Sequence, residues 1–230
     1  LSYTLERTAR RKSSIQITVL PDLTLRVVAP LRLTRGRIDA MVRGREAWIR
    51  KRRADLQQSQ LGKQERRWSS GERLPFLDDQ LELRIRPVVG QKMVQAIRKE
   101  SYLDVWVPTS LESIEPIKRV VYKWYGIQAQ QVFAQRVLHF AEPLNVQPFK
   151  VLVRNQTSRW GSCASDGSLR LCWRLILAPQ RILDYVVVHE LSHLRHPHHQ
   201  RSFWQSVESI LPNYVELRAE LKRDGDTYRL

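Results

Sequence analysis

Cysteine is scarce in this chain, and so are long apolar runs. Only two of the 230 residues are cysteines, Cys163 and Cys172, and they do not stand at the spacing of a paired zinc-binding motif. Two thiols in a chain of this size argue against a disulfide framework and favour a reducing cytoplasm. No segment reaches the ~18 consecutive apolar residues that a membrane span requires, and no secretory signal is visible. We therefore expect a cytoplasmic protein with no membrane partner.

Acidic residues are outnumbered, with 23 Asp and Glu against 39 Lys and Arg, which gives a net charge of +16. Residues 1–70 hold 17 of the basic and 6 of the acidic residues, and "RGREAWIRKRR" (43–53) is the densest part. A field of this sign predicts contact with nucleic acid or another polyanion through the basic N-terminal third. The alternative is a solvated helix face around a single apolar stripe. That stripe would consist of Met41, Val42, Trp48, Ile49 and Leu56.

The hydrophobic pattern of the first half predicts strands. "SIQITVL" and "PDLTLRVVAP" read as two strands joined by a Pro-Asp turn, and a helix is expected from Ile38 to Gln58. A polar connector, "QSQLGKQERRWSSGER", leads to three short strands in "QLELRIRPVV", "MVQAIRKE" and "YLDVWVP". The pattern indicates an N-terminal domain, residues 1–108, that is mostly antiparallel β with one helix.

The second half changes to helical spacing. A long helix is expected between Ile117 and Pro143, followed by a small sheet with an Asp166-Gly167 hairpin turn. A helix then runs through "VVVHELSH", and a last amphipathic helix is expected over residues 202–224. The expected fold class is therefore α+β, with a second domain over residues 109–230.

Five of the six histidines lie in one stretch, "VVVHELSHLRHPHHQRSFW", which begins at residue 186. His189 and His193 are four apart on the expected helix, so both imidazoles face the same way. With Glu190 they form the H-E-x-x-H pattern, which supplies two zinc ligands and a carboxylate able to act as general base on a zinc-bound water. The pattern predicts a metal-dependent hydrolase with one Zn²⁺ per chain.

A third protein ligand is expected, with one position left open for water or substrate. Pro197 must end or bend the helix, so a residue beyond it can turn back toward the metal. His199 is the favoured ligand because it lies six residues after His193, whereas His196 and His198 are expected to be exposed or supporting residues. The alternatives are His198 as the ligand, or a carboxylate of the last helix. Those carboxylates are Glu208 and Glu216.

A hydrolase of this kind also needs a cation or hydrogen-bond donor that stabilises the developing oxyanion. Arg154 and Arg159 are the candidates, because both precede the metal helix in the strand region. An ordinary surface role for both arginines is the alternative.

"SRWGSCASDGSLRLCWRLILAP" followed by "LDYVVVHELSHLRHPHHQRSFWQSV" resembles the YgjP-like, or DUF45, metallopeptidase-like family, which is related to SprT-like and WLM zincins. "RKSSIQITVLPDLTLRVVAP", "RGRIDAMVRGREAWIRKRR" and "GERLPFLDDQLELRI" are similar to that family too. The resemblance implies a zincin-like, minigluzincin-type C-terminal half with a small antiparallel sheet. It also implies His189, His193 and His199 as zinc ligands and Glu190 as the catalytic acid/base. The stretch from Arg159 to Ser162 would be a hallmark strand beside the cleft, which makes Trp160 and Gly161 further substrate or oxyanion candidates.

The leading functional prediction is a zinc metallopeptidase that acts on a peptide or protein. The first alternative is a nucleoside-triphosphate pyrophosphatase, because a basic chain also suits a phosphate-bearing substrate and this activity has been attached to a relative. The second is a nucleic-acid-binding protein with a structural zinc. That reading needs a fourth protein ligand on the metal and gives Glu190 no chemical task.

Overall fold

The computed structural model describes residues 1–9, 13–20, 22–61 and 66–230. By their internal contacts these residues form two compact units, Leu1–Glu65 and Arg66–Leu230. The strands are β1 Thr4–Thr8, β2 Gln16–Val19, β3 Leu25–Pro30, β4 Arg73–Phe76, β5 Asp79–Val88, β6 Gln95–Lys99, β7 Tyr102–Pro108, β8 Lys150–Arg154, β9 Gly161–Cys163 and β10 Ser168–Cys172. The α-helices are α1 Arg35–Arg43, α2 Glu46–Leu61, α3 Glu115–Ala141, α4 Gln180–Ser192, α5 Arg201–Ile210 and α6 Tyr214–Asp224.

The first unit contains a three-stranded sheet in the order β1-β3-β2. Strand β2 runs antiparallel to β3, which confirms the two expected strands, although Pro21 of the expected turn lies outside the described residues. Strand β1, which the sequence did not predict, runs parallel to β3. The sheet and the two helices bury one apolar core, made of Leu25, Val27, Ala29, Ile38, Val42 and Ile49.

One continuous helix was expected over residues 38–58. The structure has two helices there, α1 and α2, so the prediction of a single helix was wrong. Gly44 lies between them and favours a break because it is a poor helix former. The expected apolar stripe is confirmed for Val42 and Ile49, which are buried, while Met41 and Leu56 are half-buried. Trp48 departs from it, with 45% of its surface exposed.

The second unit begins with a sheet in the order β4-β5-β7-β6. The chain passes from β5 to β6, which lies on the far side of β7 at the edge of the sheet, and then turns back into β7. Strand β6 is therefore antiparallel to β7, and β5 and β7 pair in parallel. Since β1 and β3 are parallel too, both sheets are mixed; three of their five strand pairings are antiparallel, as expected, and two are parallel. The strand β4 lies at the end of the expected connector, of which residues 62–65 fall outside the described residues.

This sheet shares one hydrophobic core with the C-terminal helices. Leu83 and Val105 of the sheet belong to the same buried cluster as Phe133 of α3 and Val187 of α4. The boundary between the compact units falls after residue 65. The division into domains 1–108 and 109–230 stays a prediction.

The long helix α3 and the sheet β8-β10-β9 follow as expected, with the Asp166-Gly167 turn between β9 and β10. The turn requires Gly167, whose φ is +77°. The expected all-antiparallel arrangement was wrong for β8, which runs parallel to β10. Residues 155–160 connect β8 to β9, which lies at the opposite edge of the sheet. The hairpin then returns the chain through β10 between them, so β8 and β10 run in the same direction.

The expected last helix over residues 202–224 is also two helices, α5 and α6. Pro212 lies between them and cannot donate a backbone hydrogen bond inside a helix, which explains the interruption. Helix α4 packs against α3, α5, α6 and β9, so it lies at the centre of the C-terminal half. Among the described residues, no helix combines the length and the apolar character needed to cross a membrane.

Candidate metal centre

Three histidine side chains converge where α4 ends. His189 lies in the last turn of α4, His193 follows the helix directly, and His199 lies in the loop before α5. One ring nitrogen from each lies within 4.8 Å of the others, and the Nε2 atoms of His189 and His199 are 3.1 Å apart. His196, His198, Glu208 and Glu216 are not part of this group. The structure therefore brings together the three histidines that the H-E-x-x-H-x5-H spacing favours.

Aromatic rings pack against the three imidazoles. The fully buried ring of Phe203 lies 4.9, 4.6 and 4.7 Å from the ring centroids of His189, His193 and His199. Trp204 stacks on His199 at 5.6 Å. His193 is also fixed through Nδ1, which lies 3.1 Å from the backbone oxygen of His196. Because Nδ1 is engaged in this way, Nε2 is the nitrogen of His193 that is left for a ligand.

Burial favours the neutral form of His189 and His193. It lowers the pKa of His189 from 6.5 to about 3, and the neighbouring imidazoles and the charge of Arg218 act in the same direction. The pKa of His193 is also lowered, again mainly by burial. A histidine must be deprotonated to bind a metal, so the environment selects the form that can act as a ligand.

Glu190, the residue after His189 in α4, is buried, with only 6% of its surface exposed. Burial raises the pKa of its carboxyl group to about 7, while a hydrogen bond from the backbone N–H of Cys163 and the charge of Arg159 oppose the shift. A carboxyl group with a pKa near neutrality can both accept and return a proton at cellular pH. The side chain is thus suited to acid/base chemistry.

Strand β9 lies directly against Glu190. A Cβ added to Gly161 would lie 2.6 Å from Oε1, 2.7 Å from Cγ and 2.9 Å from Cδ of that side chain, closer than real Cβ contacts come. Only glycine therefore fits at this position without moving the carboxylate or the strand. A glycine inside a strand often marks such a close backbone approach, and Gly161 of β9 has this role.

One edge of β9 is not covered by another strand. Its hydrogen bonds to β10 involve the alternate residues Trp160 and Ala164. In an antiparallel pair every second residue directs its backbone groups to the partner strand, and the residues that alternate with these direct theirs to the opposite side. Gly161 and Cys163 therefore present their backbone groups at the free edge, where the Cys163 N–H binds Glu190.

Comparison with known protein families identifies the family of this chain. The family described as "YgjP-like, metallopeptidase domain" matches residues 13–224 of this chain. The chain belongs to the YgjP-like metallopeptidase family. A comparison with curated proteins finds no match.

Two solved structures are similar to part of the chain. The metallopeptidase zymogen abylysin of Pyrococcus abyssi shares 23% identity, with a TM-score of 0.36, over 39% of this chain and 93% of its own. The metallopeptidase zymogen jannalysin of Methanocaldococcus jannaschii shares 16% identity, with a TM-score of 0.37, over 40% of this chain and 94% of its own.

Family membership confirms the resemblance drawn from the sequence and makes this protein a metal-dependent hydrolase of the peptidase type. The remaining candidates of this YgjP-like domain lie in different places. Arg159 is exposed, and its charge acts on Glu190. Trp160 packs against Tyr228, at a centroid distance of 6.1 Å. Arg154 ends β8, the strand at the other edge of the sheet, and lines a separate cavity of about 540 Å³ with Tyr122 and Trp173.

Sequence reasoning missed three residues around the histidines. Tyr185 lies one helical turn before His189, and the two rings are 6.0 Å apart; its i−4 spacing was a signal that could have found it. Tyr214 stacks on Trp204 at 5.3 Å, and the guanidinium of Arg218 lies 4.8 Å from the centroid of the same indole ring. Both come from α6, and only the tertiary fold brings that helix to the site.

Proposed function

We propose that this YgjP-like domain is a zinc-dependent peptidase in which His189, His193 and His199 hold the metal and Glu190 is the general base. The observation that supports the proposal most is the convergence of three imidazoles on a helix whose Glu190, directly after His189, has a buried carboxylate. A solvated histidine cluster would need neither the Phe203 support nor a glycine strand packed against Glu190.

The donor set fits Zn²⁺ rather than a hard cation. Three imidazole nitrogens without a thiolate are a common catalytic zinc set and leave a fourth position open. His199 is exposed, so this position can face solvent. Calcium and magnesium prefer oxygen ligands, which the group lacks. When bound, Zn²⁺ supplies Lewis-acid polarisation of the attacking water and of the scissile carbonyl.

Glu190 carries the proton in the proposed reaction. Its carboxylate accepts a proton from the water that attacks the carbonyl carbon, and then delivers this proton to the nitrogen of the leaving amine. The Cys163 N–H orients the carboxylate throughout, because it occupies one acceptor site on the side chain. Arg159 is the better positioned of the two arginine candidates for stabilising negative charge, because its charge already acts on Glu190.

The free edge of β9 favours an extended peptide as substrate. A peptide can add to such an edge as a further strand, with main-chain hydrogen bonds supplying affinity. The N–H and C=O of Gly161 and the C=O of Cys163 are directed to this edge, next to the Cys163 N–H that binds Glu190. The scissile bond of a peptide bound here would run past the carboxylate.

A fluorogenic peptide library, assayed with zinc-loaded protein, tests the proposal. Cleavage should disappear in Glu190→Gln, while zinc content stays at the wild-type value. Glu208→Gln is the matched control, because Glu208 is an exposed carboxylate of α5 outside the histidine group; it should cleave normally. Retained cleavage in Glu190→Gln would contradict the general-base role. Hydrolysis of nucleoside triphosphates without any peptide cleavage would contradict the peptidase assignment.

A further inference from the structure

The helices of the first compact unit carry a concentration of positive charge that the proposed peptidase does not use. Residues 32–53 include nine Lys and Arg and only two acidic residues, Asp39 and Glu46. Helix α1 buries Ile38 and Val42, and α2 buries Ile49, so the basic residues are directed away from the core. Eight of the nine are exposed, and together they form what we name the basic surface: Arg32, Arg35, Arg37, Arg43, Arg45, Arg50, Lys51 and Arg52.

Ion pairs neutralise little of this charge. Asp39 accepts a hydrogen bond from Tyr3 and lies 3.8 Å from Arg35, and Glu46 pairs with Arg50 at 2.7 Å. Among the side chains that the structure describes, no carboxylate lies at ion-pair distance from Arg32, Arg37, Arg43 or Arg45. The basic surface therefore holds several cations that are free to contact an anionic partner.

An exposed tryptophan lies among these cations. The apolar stripe expected from the sequence would have buried Trp48, but 45% of its surface is exposed. On α2, Lys51 and Arg52 are three and four residues further along, so their side chains lie on the same side of the helix as the indole. An indole ring exposed between cations provides a flat surface for stacking in addition to charge.

We propose that the basic surface binds single-stranded nucleic acid, with Arg45, Lys51 and Arg52 contacting phosphates and Trp48 stacking on an unpaired base. Charge alone would suit any polyanion. The exposed indole favours a single strand, because the bases of a duplex are stacked on each other and do not present a face. The inference uses no residue of the histidine site, so it stands or fails separately from the peptidase proposal.

Fluorescence anisotropy of the full chain with labelled dT20 tests the inference. Binding should weaken steeply with salt, and Arg45→Gln/Lys51→Gln/Arg52→Gln should reduce the slope of log K against log salt by about 2, since each single-strand phosphate contact contributes about 0.7. Trp48→Ala should weaken binding by about fivefold or more, while Trp48→Phe should retain most of it. Glu190→Gln should bind like the wild type.

The matched control removes three exposed cations of the second unit: Lys92→Gln/Arg119→Gln/Lys123→Gln. It has the same net charge as the basic-surface variant and should bind dT20 with the wild-type slope. An equal loss in both variants would indicate a non-specific charge effect and overturn the inference. So would equal affinity for duplex DNA without any effect of Trp48→Ala, preferential binding of vesicles with anionic lipid, or no binding of dT20 at low salt.

Discussion

Gly161→Ala offers the sharpest test of how the strand β9 holds the candidate general base. The new methyl group would lie 2.6 Å from Oε1 of Glu190, whereas ordinary van der Waals contact begins near 3.4 Å. The carboxylate or the strand must therefore move by about 0.8 Å. The three nearest atoms all belong to Glu190, so the clash is almost entirely with this one side chain.

Two magnitudes follow from this displacement. Overpacking of this kind costs about 1–3 kcal/mol of stability, because the site is buried and closely packed. A catalytic group misplaced by about 1 Å can cost about a hundredfold in rate, so we expect kcat/KM for peptide cleavage to fall by about two orders of magnitude. The zinc content should not change, since the three atoms nearest to the added methyl group belong to Glu190 and none belongs to a histidine.

A thermodynamic cycle measured by chemical denaturation checks the reasoning without any activity. In a Glu190→Ala background the three clashing atoms are absent, so Gly161→Ala should then cost less than about 0.5 kcal/mol, giving a coupling of about 1–3 kcal/mol. Gly126→Ala is the control, because nothing lies within 4 Å of the position of its Cβ. It should be neutral or slightly stabilising in helix α3. An equal cost of Gly161→Ala in both backgrounds would refute the proposed clash.

Three further predictions concern the histidine site and its supports. His199→Ala should lower zinc affinity far more than His196→Ala in a competition titration, because His196 contributes its backbone oxygen and not its imidazole; similar losses would contradict His199 as the third ligand. In metal-free protein, burial of Glu190 raises the pKa of its carboxyl group from 4.5 to about 7. The stability of the wild type relative to Glu190→Gln should therefore be highest below pH 4.5 and fall by about 3 kcal/mol as the pH rises through 7. Denaturation curves that keep a constant difference between pH 4.5 and pH 8 would refute the shift. Arg136→Gln should cost about 2 kcal/mol, because it breaks a largely buried, bidentate ion pair with α4, whereas Arg223→Gln breaks an exposed pair and should leave the midpoint unchanged.

The sequence was most informative where chemistry depends on local spacing. The positions of His189, Glu190 and His193 follow from one helical turn, and their apolar flank "VVV" predicts the burial that the structure has. The turn at Gly167 could also be predicted, because the Asp-Gly pair favours a tight hairpin. These features depend on neighbours within four residues.

Long-range features could not be predicted in the same way. Parallel pairing of β5 with β7, and of β8 with β10, depends on where the chain crosses the sheet, and no local pattern encodes that crossing. The breaks at Gly44 and Pro212 had local signals, but the apolar periodicity that continues across both positions outweighed them. Arg218 reaches the site only because α6 folds back against α4.

The most direct test of the central claim is the zinc content of freshly purified protein, measured by elemental analysis on the wild type and on His189→Ala/His193→Ala. We expect about one zinc per chain in the wild type and almost none in the double variant, because three imidazoles that converge within 4.8 Å form a single site. A wild-type protein that stays free of metal after zinc is offered, or a double variant that keeps it, would contradict the metal centre.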